Sequence, residues 1–528
     1  MRLLTDFARS DLGRSSLGVI KKSFGLLANN FSKIYRLWYI SLIIFSISSC
    51  KVPPVKKHEV RAVWMSRFEY AQGKSAHESK QYIRSSFRQF HDAGLNMILF
   101  QVRGNGDAFY HSRYEPWSDL LSGTLGRDPG WDPLQFALET AHHLGMELHV
   151  WINTFPAWKA GRPLPTESIP RHPLLAHPEW VVCDSTGTPM HPRAGYITFS
   201  PGNPQVQQHI RNVVMDLLGK YDVDGVHFDY IRYPEGTVRN GYSHDSVSVA
   251  RFAAANPLQF KWNVWQREQI NRFVGAVYNT ITAAKPWVKV SAAVIGYHHG
   301  VRWNGYSAVM QDARRWLATG KIDLLFPMTY TRINHPTAPY TAALQQWKEM
   351  RYLGGLINPG IATYKVGGKY TWKEIWKEIE RVRKDRFPGM VFFSATSLLK
   401  ALNTLHKKYY PRPALFPPMP WKEVPIEKPL LAEYHLGADT LHIRWRANPG
   451  IEYYVIYSDP DLSKMKNIIQ IVPGSDSTTA FPLLPGQQVY YLTAVNRTGM
   501  ESSPLELYPL QNISLTKQVE AVSCDPVP

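Results

Sequence analysis

From Val60 onward the chain repeats one short phrase: an apolar run long enough for a strand, then a stretch with helical periodicity, then another apolar run. The strand candidates are VRAVWMS from Val60, NMILFQVR from Asn96, MELHVWIN from Met146, GVHFDYIR from Gly225, KVSAAVIG from Lys289, DLLFPMTY from Asp323, GLINPGIAT from Gly355 and GMVFFSAT from Gly389. Between them, segments such as KQYIRSSFRQFHDAG, QVQQHIRNVVMDLLGKY and TWKEIWKEIERVRKDR have amphipathic helical character. Eight such rounds over about 340 residues predict an α/β fold of the TIM (β/α)8 barrel type. A doubly wound open sheet is the alternative, but no glycine-rich phosphate loop supports a nucleotide-binding version of it.

Successive side chains of a strand point to opposite faces. In GVHFDYIR this sets Val226, Phe228 and Tyr230 toward the helix layer and aims His227 and Asp229 into the barrel. Asp229 then sits near the C-terminal end of its strand, where barrel enzymes build their sites. The second strand sends Gln101 and Arg103 inward, and the third sends His149, Trp151 and Asn153. Each buried unpaired polar group costs about 1–3 kcal/mol, so several gathered at one mouth indicate a ligand-facing surface. Plainer readings stand beside these. Arg103 can be an interior ion-pair partner of Asp229, His149 and His227 can be hydrogen-bonded core histidines, and Trp64 and Trp151 can be core. Asp229 is the residue that packing explains least.

Ahead of the barrel, Lys33 and Arg36 precede the apolar run LWYISLIIFSISS, which is shorter than the ~20 residues a spanning helix needs. The run ends at Cys50 and resembles the lipobox of bacterial lipoproteins. Residues 1–50 are therefore expected to be a lipoprotein signal segment, with Cys50 the lipidated mature N-terminus and residues 51–57 a short tether. That places the protein in the cell envelope, held to a membrane by its lipid, with the outer membrane or cell surface as the expected site. The formal net charge is +18, but seven basic residues lie before Cys50 against only Asp6 and Asp11, and the rest are spread along the chain. Without a Lys/Arg-rich block, zinc-finger spacing or RNA-recognition signature, no nucleic-acid partner is expected. The other cysteines, Cys183 and Cys524, form no Cys/His metal motif, and neither a metal nor another cofactor is expected.

The blocks EVRAVWMS, FQVRGNGDAFYHSRYEPWSDLLSG, PGWDPLQFALETAHHLGMELHVWINTF and YDVDGVHFDYIRYP, in that order, resemble bacterial glycosyl hydrolase-like family ten over about residues 58–410. The resemblance implies a TIM-barrel glycoside hydrolase related to the α-galactosidase superfamily, with the acid at the end of strand four, here Asp229, as nucleophile. It also implies a polysaccharide substrate, since members include lipoproteins that cleave peptidoglycan glycan strands stripped of their peptides. Two departures stand out. FDYIRYP replaces the family's paired-acid DDYFYP, and PMTYT places Met328 where the family often has Gln. Chitinases offer another comparison, but in DGVHFDYI their proton-donating Glu is Ile231.

Glycoside hydrolysis normally asks for two carboxyl groups. Asp229 supplies one, and Asp107, on the glycine-rich loop after strand two, is the preferred second. Glu115, Glu235 and Asp245 are loop alternatives. Arg103, Gln101 and Asn153 suit binding of sugar hydroxyl or acetamido groups, and Trp64, Trp151, Tyr233 and Tyr330 suit stacking on sugar faces. His149, His227 and Arg232 complete the candidate substrate-binding set. Residues 411–424 are proline-rich and read as a linker. Residues 425–512 alternate as a small all-β sandwich does and resemble a fibronectin type III domain, leaving 513–528 as a tail. Two functions stand: a lipid-anchored glycoside hydrolase acting on envelope or scavenged polysaccharide, and a glycan-binding surface lipoprotein that does not cleave.

Overall fold

The computed structural model describes residues 56–509 apart from 160, 162, 164, 191–194, 256–260, 369 and 438. The expected signal segment with Cys50, the tether before Lys56, and the tail with Cys524 lie outside the described residues. No helix among the described residues is long and apolar enough to cross a membrane.

The barrel strands, in chain order, are β1 (Val60–Met65), β2 (Met97–Arg103) and β3 (Glu147–Asn153), then, after the antiparallel pair β4 (Pro156–Lys159) and β5 (Tyr196–Thr198), β6 (Gly225–Asp229), β7 (Lys289–Ile295), β8 (Leu324–Met328), β9 (Leu356–Ile357), β10 (Gly360–Ile361) and β11 (Gly389–Phe393). The parallel sheet runs β10-β11-β1-β2-β3-β6-β7-β8-β9. Because β9 and β10 are consecutive pieces of one segment, residues 356–361, the two ends of that order meet and eight staves close the ring.

A helix follows each stave: α1 (Ala76–Asp92), α2 (Pro133–His143), α3 (Pro204–Lys220), α4 (Trp262–Ala284), α5 (Ala313–Ala318), α6 (Tyr340–Glu349), α7 (Trp372–Lys384) and α8 (Leu402–Tyr409). The sequence fixes α1 at its start by a capping box, in which the Ser75 side chain accepts from Glu78 N–H while the Glu78 carboxylate accepts from Ser75 N–H. Its buried Ile83, Phe87 and Phe90 recur at helical spacing, and Phe87 meets the outward Phe100 of β2 edge to face at 6.2 Å. Phe228 of β6 meets Phe273 of α4 in the same way, at 6.3 Å. Phe100 and Phe228 thus face the helix layer as expected, but Tyr230, expected on the same side as Phe228, lies just past the end of β6 and faces the barrel mouth.

The inward faces fill the barrel. Val60, Ala62, Met97, Leu99, Leu324, Phe326 and Val391 form one buried cluster, and Phe416 and Met419 join it from the proline-rich stretch 411–424. That stretch is not a free tether. It crosses the N-terminal end of the staves, where Leu415 N–H donates to Lys57 O at 2.8 Å and Glu59 N–H donates to Leu415 O at 3.0 Å. Phe416 and Met419, 1% and 0% exposed, plug the barrel from below. Met419→Ala is expected to destabilise the protein by about 2–3 kcal/mol in urea unfolding, since truncating a buried Met opens a cavity; an unchanged midpoint would show the plug to be loose.

Beyond the plug come β12 (Leu431–Leu436), β13 (Thr440–Trp445), β14 (Ile451–Tyr457), β15 (Ile468–Pro473), β16 (Thr478–Pro482), β17 (Tyr490–Asn496) and β18 (Leu505–Leu507). They form antiparallel sheets of order β12-β13-β16 and β15-β14-β17-β18, which share a core including Ile443, Trp445, Tyr454, Ile456, Phe481 and Leu492. The opposite face of the four-stranded sheet, with Tyr453, Val455, Tyr457 and Val495, packs on Leu415.

Charges complete the junction. Arg497 pairs with Asp222 at 2.6 Å and Asp224 at 2.7 Å, Lys289 with Glu147 at 3.0 Å, and Lys422 with Asp323 at 2.7 Å. Asp224, Glu147, Lys289 and Asp323 all sit at the N-terminal ends of staves, so the all-β module covers the bottom of the barrel and leaves the top open.

Candidate active site

At the top, where the staves end, the inward residues of the last layer enclose a cavity of about 220 Å3. Its lining includes Trp64 from β1, Gln101 from β2, Trp151 and Asn153 from β3, Asp229 from β6, Met328 and Tyr330 at the end of β8, and Phe393 from β11. Asp229 is 7% exposed and is the one carboxylate among the described residues of this lining.

Alternation alone brings Asp229 inward. The backbone then turns sharply, with Tyr230 in the left-handed region at φ 50°, a conformation that costs a non-glycine residue on the order of 1–3 kcal/mol. The turn aims Tyr230 N–H at Asp229 Oδ1, 2.6 Å away. Burial pushes the Asp229 carboxyl above its usual range, and the Arg232 charge, the Tyr230 amide and the Trp151 indole pull it only part of the way back. No ion pair is made between Asp229 and a guanidinium among the described residues. A largely buried carboxyl with a perturbed pKa in a cleft suits proton transfer or nucleophilic attack.

The walls are aromatic. Phe393 and Tyr330 stack at 6.0 Å and 13°, and Trp64 meets both edge-on, at 6.0 and 6.4 Å. Tyr196, from β5, meets Tyr230 at 5.4 Å. Polar groups among these rings are held in fixed directions. Gln101 Nε2–H and Trp151 Nε1–H both donate to Asn153 Oδ1 at 3.1 Å, and Asn153 Nδ2–H donates to Gly104 O. Rigid aromatic faces beside a few oriented amides suit a flat, hydroxyl-rich ring such as a sugar.

His227 lies one layer deeper, with no place in the cavity lining. Trp64 Nε1–H donates to its Nε2 at 3.0 Å, so the ring proton is on Nδ1, facing Ser291 Oγ at 2.9 Å. Burial and the neighbouring His149 hold the imidazole well below its usual pKa, so it stays neutral and positions Trp64. His149 is also below the cavity, with Nε2 3.1 Å from Glu147 Oε2 and its ring against Gly225, where a Cβ would come within 2.4 Å of Nδ1.

Arg103 does not reach the cavity either. A β-bulge sets Gln101 opposite Trp151 but Arg103 opposite Ile152, which breaks the alternation at Val102. The guanidinium turns away to make a two-pronged pair with Glu115, both bonds 2.7 Å, and also donates to the Asn153 carbonyl. Arg103 is thus an interior ion-pair residue, as in its plainer reading, but its partner is Glu115 and not Asp229.

Asp107 lies outside the lining, 3% exposed, because its loop folds back on itself. Its Oδ1 accepts from Asn105 N–H at 2.6 Å. Of the loop alternatives, Glu115 is committed to Arg103 and His209, and Asp245 accepts from Ser200 Oγ at 2.6 Å and from Ser248 N–H at 3.0 Å. Glu235 stays exposed on the loop after β6. Tyr233 is fully buried away from the cavity, since the turn at Tyr230 ends the strand's alternation. Arg232, 7% exposed, stands behind the wall with its guanidinium 4.6 Å from the Tyr230 ring and 5.8 Å from Trp303.

Sequence reasoning missed Ser66, Arg67, Phe68, Tyr196, Ala293 and Phe393 in the lining, and it set Tyr230 toward the helix layer, whereas the left-handed turn there brings Tyr230 to the cavity. Arg67 and Phe68 directly follow β1, and Phe393 is the inward last residue of β11, so the strand-end rule applied to every stave would have found them. Tyr196 comes from a long excursion after β3 that carries no periodic signal.

Among described residues no cluster of three or more His, Cys, Asp or Glu is arranged to hold a metal ion. The family model for glycosyl hydrolase-like 10 matches residues 59–378. Glycosyl hydrolase YngK of Bacillus subtilis (strain 168) is 29% identical over 394 residues, covering 69% of this chain and 74% of that protein. Glycosyl hydrolase DigH of Escherichia coli (strain K12) is 28% identical over 292 residues, covering 52% of this chain and 63% of DigH, just under two thirds of its length. Among solved structures, the PgaB (BpsB) glycoside hydrolase domain from Bordetella bronchiseptica aligns with a TM-score of 0.48 at 12% identity, over 67% of this chain and 98% of that domain. With a family match running over more than half of its length, the chain belongs to the glycosyl hydrolase-like 10 family.

Proposed function

We propose that this protein is a lipid-anchored glycoside hydrolase of the cell envelope, with glycan strands of peptide-stripped peptidoglycan as its substrate. The observation that carries this reading is Asp229, a carboxyl of raised pKa at a stave's C-terminal end inside an aromatic cavity. Membership of a glycosyl hydrolase-like family supports a glycan-cleaving role. Asp229 acts as nucleophile or base at the anomeric carbon. Glu235, the loop acid not committed to the fold, is the candidate to swing in as proton donor, and Asp107 would have to leave its turn to do so. Cys50 carries the lipid, and the all-β module, read as fibronectin type III-like, braces the barrel from below.

A second reading, glycan binding without cleavage, is favoured by the single carboxylate among the described residues of the lining. The two separate in one assay: incubation with peptide-stripped glycan strands, followed by reducing-end measurement and mass spectrometry of the products. New reducing ends are the expected result. Retention of the strands on the protein with no new ends, across a panel of glycans, would leave only the binding reading.

A further inference from the structure

We propose that Arg67 receives a carboxylate carried by the substrate's sugar, so that the cavity selects acidic glycans. The inference deepens the hydrolase reading and rests on the same cavity. Among the described residues four arginines are 3% exposed or less: Arg61, Arg67, Arg103 and Arg383. Three have a carboxylate at hand, Arg61 and Arg383 on Glu59 at 2.9 and 2.7 Å and Arg103 on Glu115 at 2.7 Å. Among the described residues Arg67 has no carboxylate within ion-pair distance, and its side chain makes one hydrogen bond to them, a long one, Nη2 to Asn105 Oδ1 at 3.5 Å. A buried cation without a counter-ion is costly, and Arg67 differs from the other three in lining the cavity.

The fold prepares this guanidinium for an incoming partner. It lies 4.4 Å from the Phe68 ring, which fixes its plane. Residue 104 is glycine, and a Cβ there would come within 2.6 Å of Arg67 Cζ, so the loop after β2 leaves the space the guanidinium occupies. The neighbouring acid is turned elsewhere: Glu69 accepts from Ser66 N–H at 2.7 Å with one oxygen and from Thr396 N–H at 2.7 Å with the other. A planar fork held this way matches a carboxylate with two parallel hydrogen bonds.

The cation that acts on Asp229 is Arg232, not Arg67. The recognised carboxylate is one that the substrate's sugar itself carries. Two sugar chemistries supply one: the lactyl ether of muramic acid, whose acid is free only once the peptide amide is gone, and the ring carboxylate of a uronic acid.

The test is binding to the full chain carrying Asp229→Asn, which stops turnover. Three probes are used: a peptide-free muramic acid–glucosamine oligosaccharide, the same compound with its carboxylates converted to methylamides, and an oligogalacturonate. Amidation is expected to weaken binding on the order of 10- to 100-fold. Arg67→Gln in the same background should weaken the acid probe by the same factor and leave the amide probe unchanged. Tight binding of the oligogalacturonate in place of the muramic probe would assign the carboxylate to a uronic acid. Equal affinity for acid and amide overturns the proposal, as does binding of none of the probes, and neither result depends on the fold of the Arg67 variant. Acid-over-amide preference combined with no cleavage by the wild type would uphold Arg67 while removing the hydrolase reading.

Discussion

Asp229→Asn is expected to lower the rate of glycan hydrolysis by about 10³-fold or more while leaving the fold intact or slightly more stable. Amide and carboxyl are nearly the same size and both can accept the Tyr230 N–H bond, so the turn at the end of β6 survives. What changes is the charge. Burial raises the Asp229 pKa above 3.8, and the nearby donors and Arg232 recover only part of the shift.

An acid whose pKa is raised by folding contributes stability that is full below its unfolded pKa and lost as pH rises through its folded pKa. At pH 7 the ionised carboxylate is therefore a net cost of folding, and asparagine does not carry it. The variant should melt at or above the wild-type temperature at pH 7, with the difference closing as the pH is lowered toward 4. Undiminished hydrolysis by the variant would take Asp229 out of the chemistry. A fall in melting temperature at pH 7 would make the carboxylate a structural anchor instead.

The staves were legible because a period of two residues alternates with a helical period eight times, the number of β/α units that closes a barrel. Asp229, Trp64, Gln101, Trp151, Asn153 and Tyr330 could be placed at the cavity because each lies on, or just beyond, a regular stretch of strand, Gln101 immediately ahead of the bulge in β2. Reading failed where the backbone departs from the ideal. One extra residue at the bulge in β2 moved Arg103 off its expected face. One left-handed residue, Tyr230, did the same for Tyr233. Asp107 was lost to a loop that doubles back, with Gly104 N–H bonding to Asp107 O. Depth along a strand was the other blind spot: His149 and His227 do point inward, but one layer too low, and a sequence does not say where the cavity floor lies. The plug was hidden by its composition, because prolines mark a segment as extended without saying whether it is solvated.

Arg103→Met should destabilise the protein by about 3–5 kcal/mol, the loss typical of stripping one partner from a buried ion pair. Both side chains of the pair are 0% exposed, so water cannot take the place of the guanidinium beside Glu115. Burial pushes the Glu115 carboxyl up, but Arg103 and His209 overcome it and hold the group at about 2. An acid with a depressed folded pKa contributes stability that is present above its unfolded pKa and lost as pH falls through the folded value, so this contribution disappears between about pH 4.5 and 2. Urea unfolding at pH 7 and at pH 3 should therefore show a large gap between wild type and Arg103→Met that narrows on acidification. Arg103→Met combined with Glu115→Leu should recover much of the loss at pH 7, since no charge is then left unpaired, although His209 loses its partner. A sugar-binding Arg103 predicts the reverse: full stability in the single variant, a raised KM, and no rescue by changing Glu115.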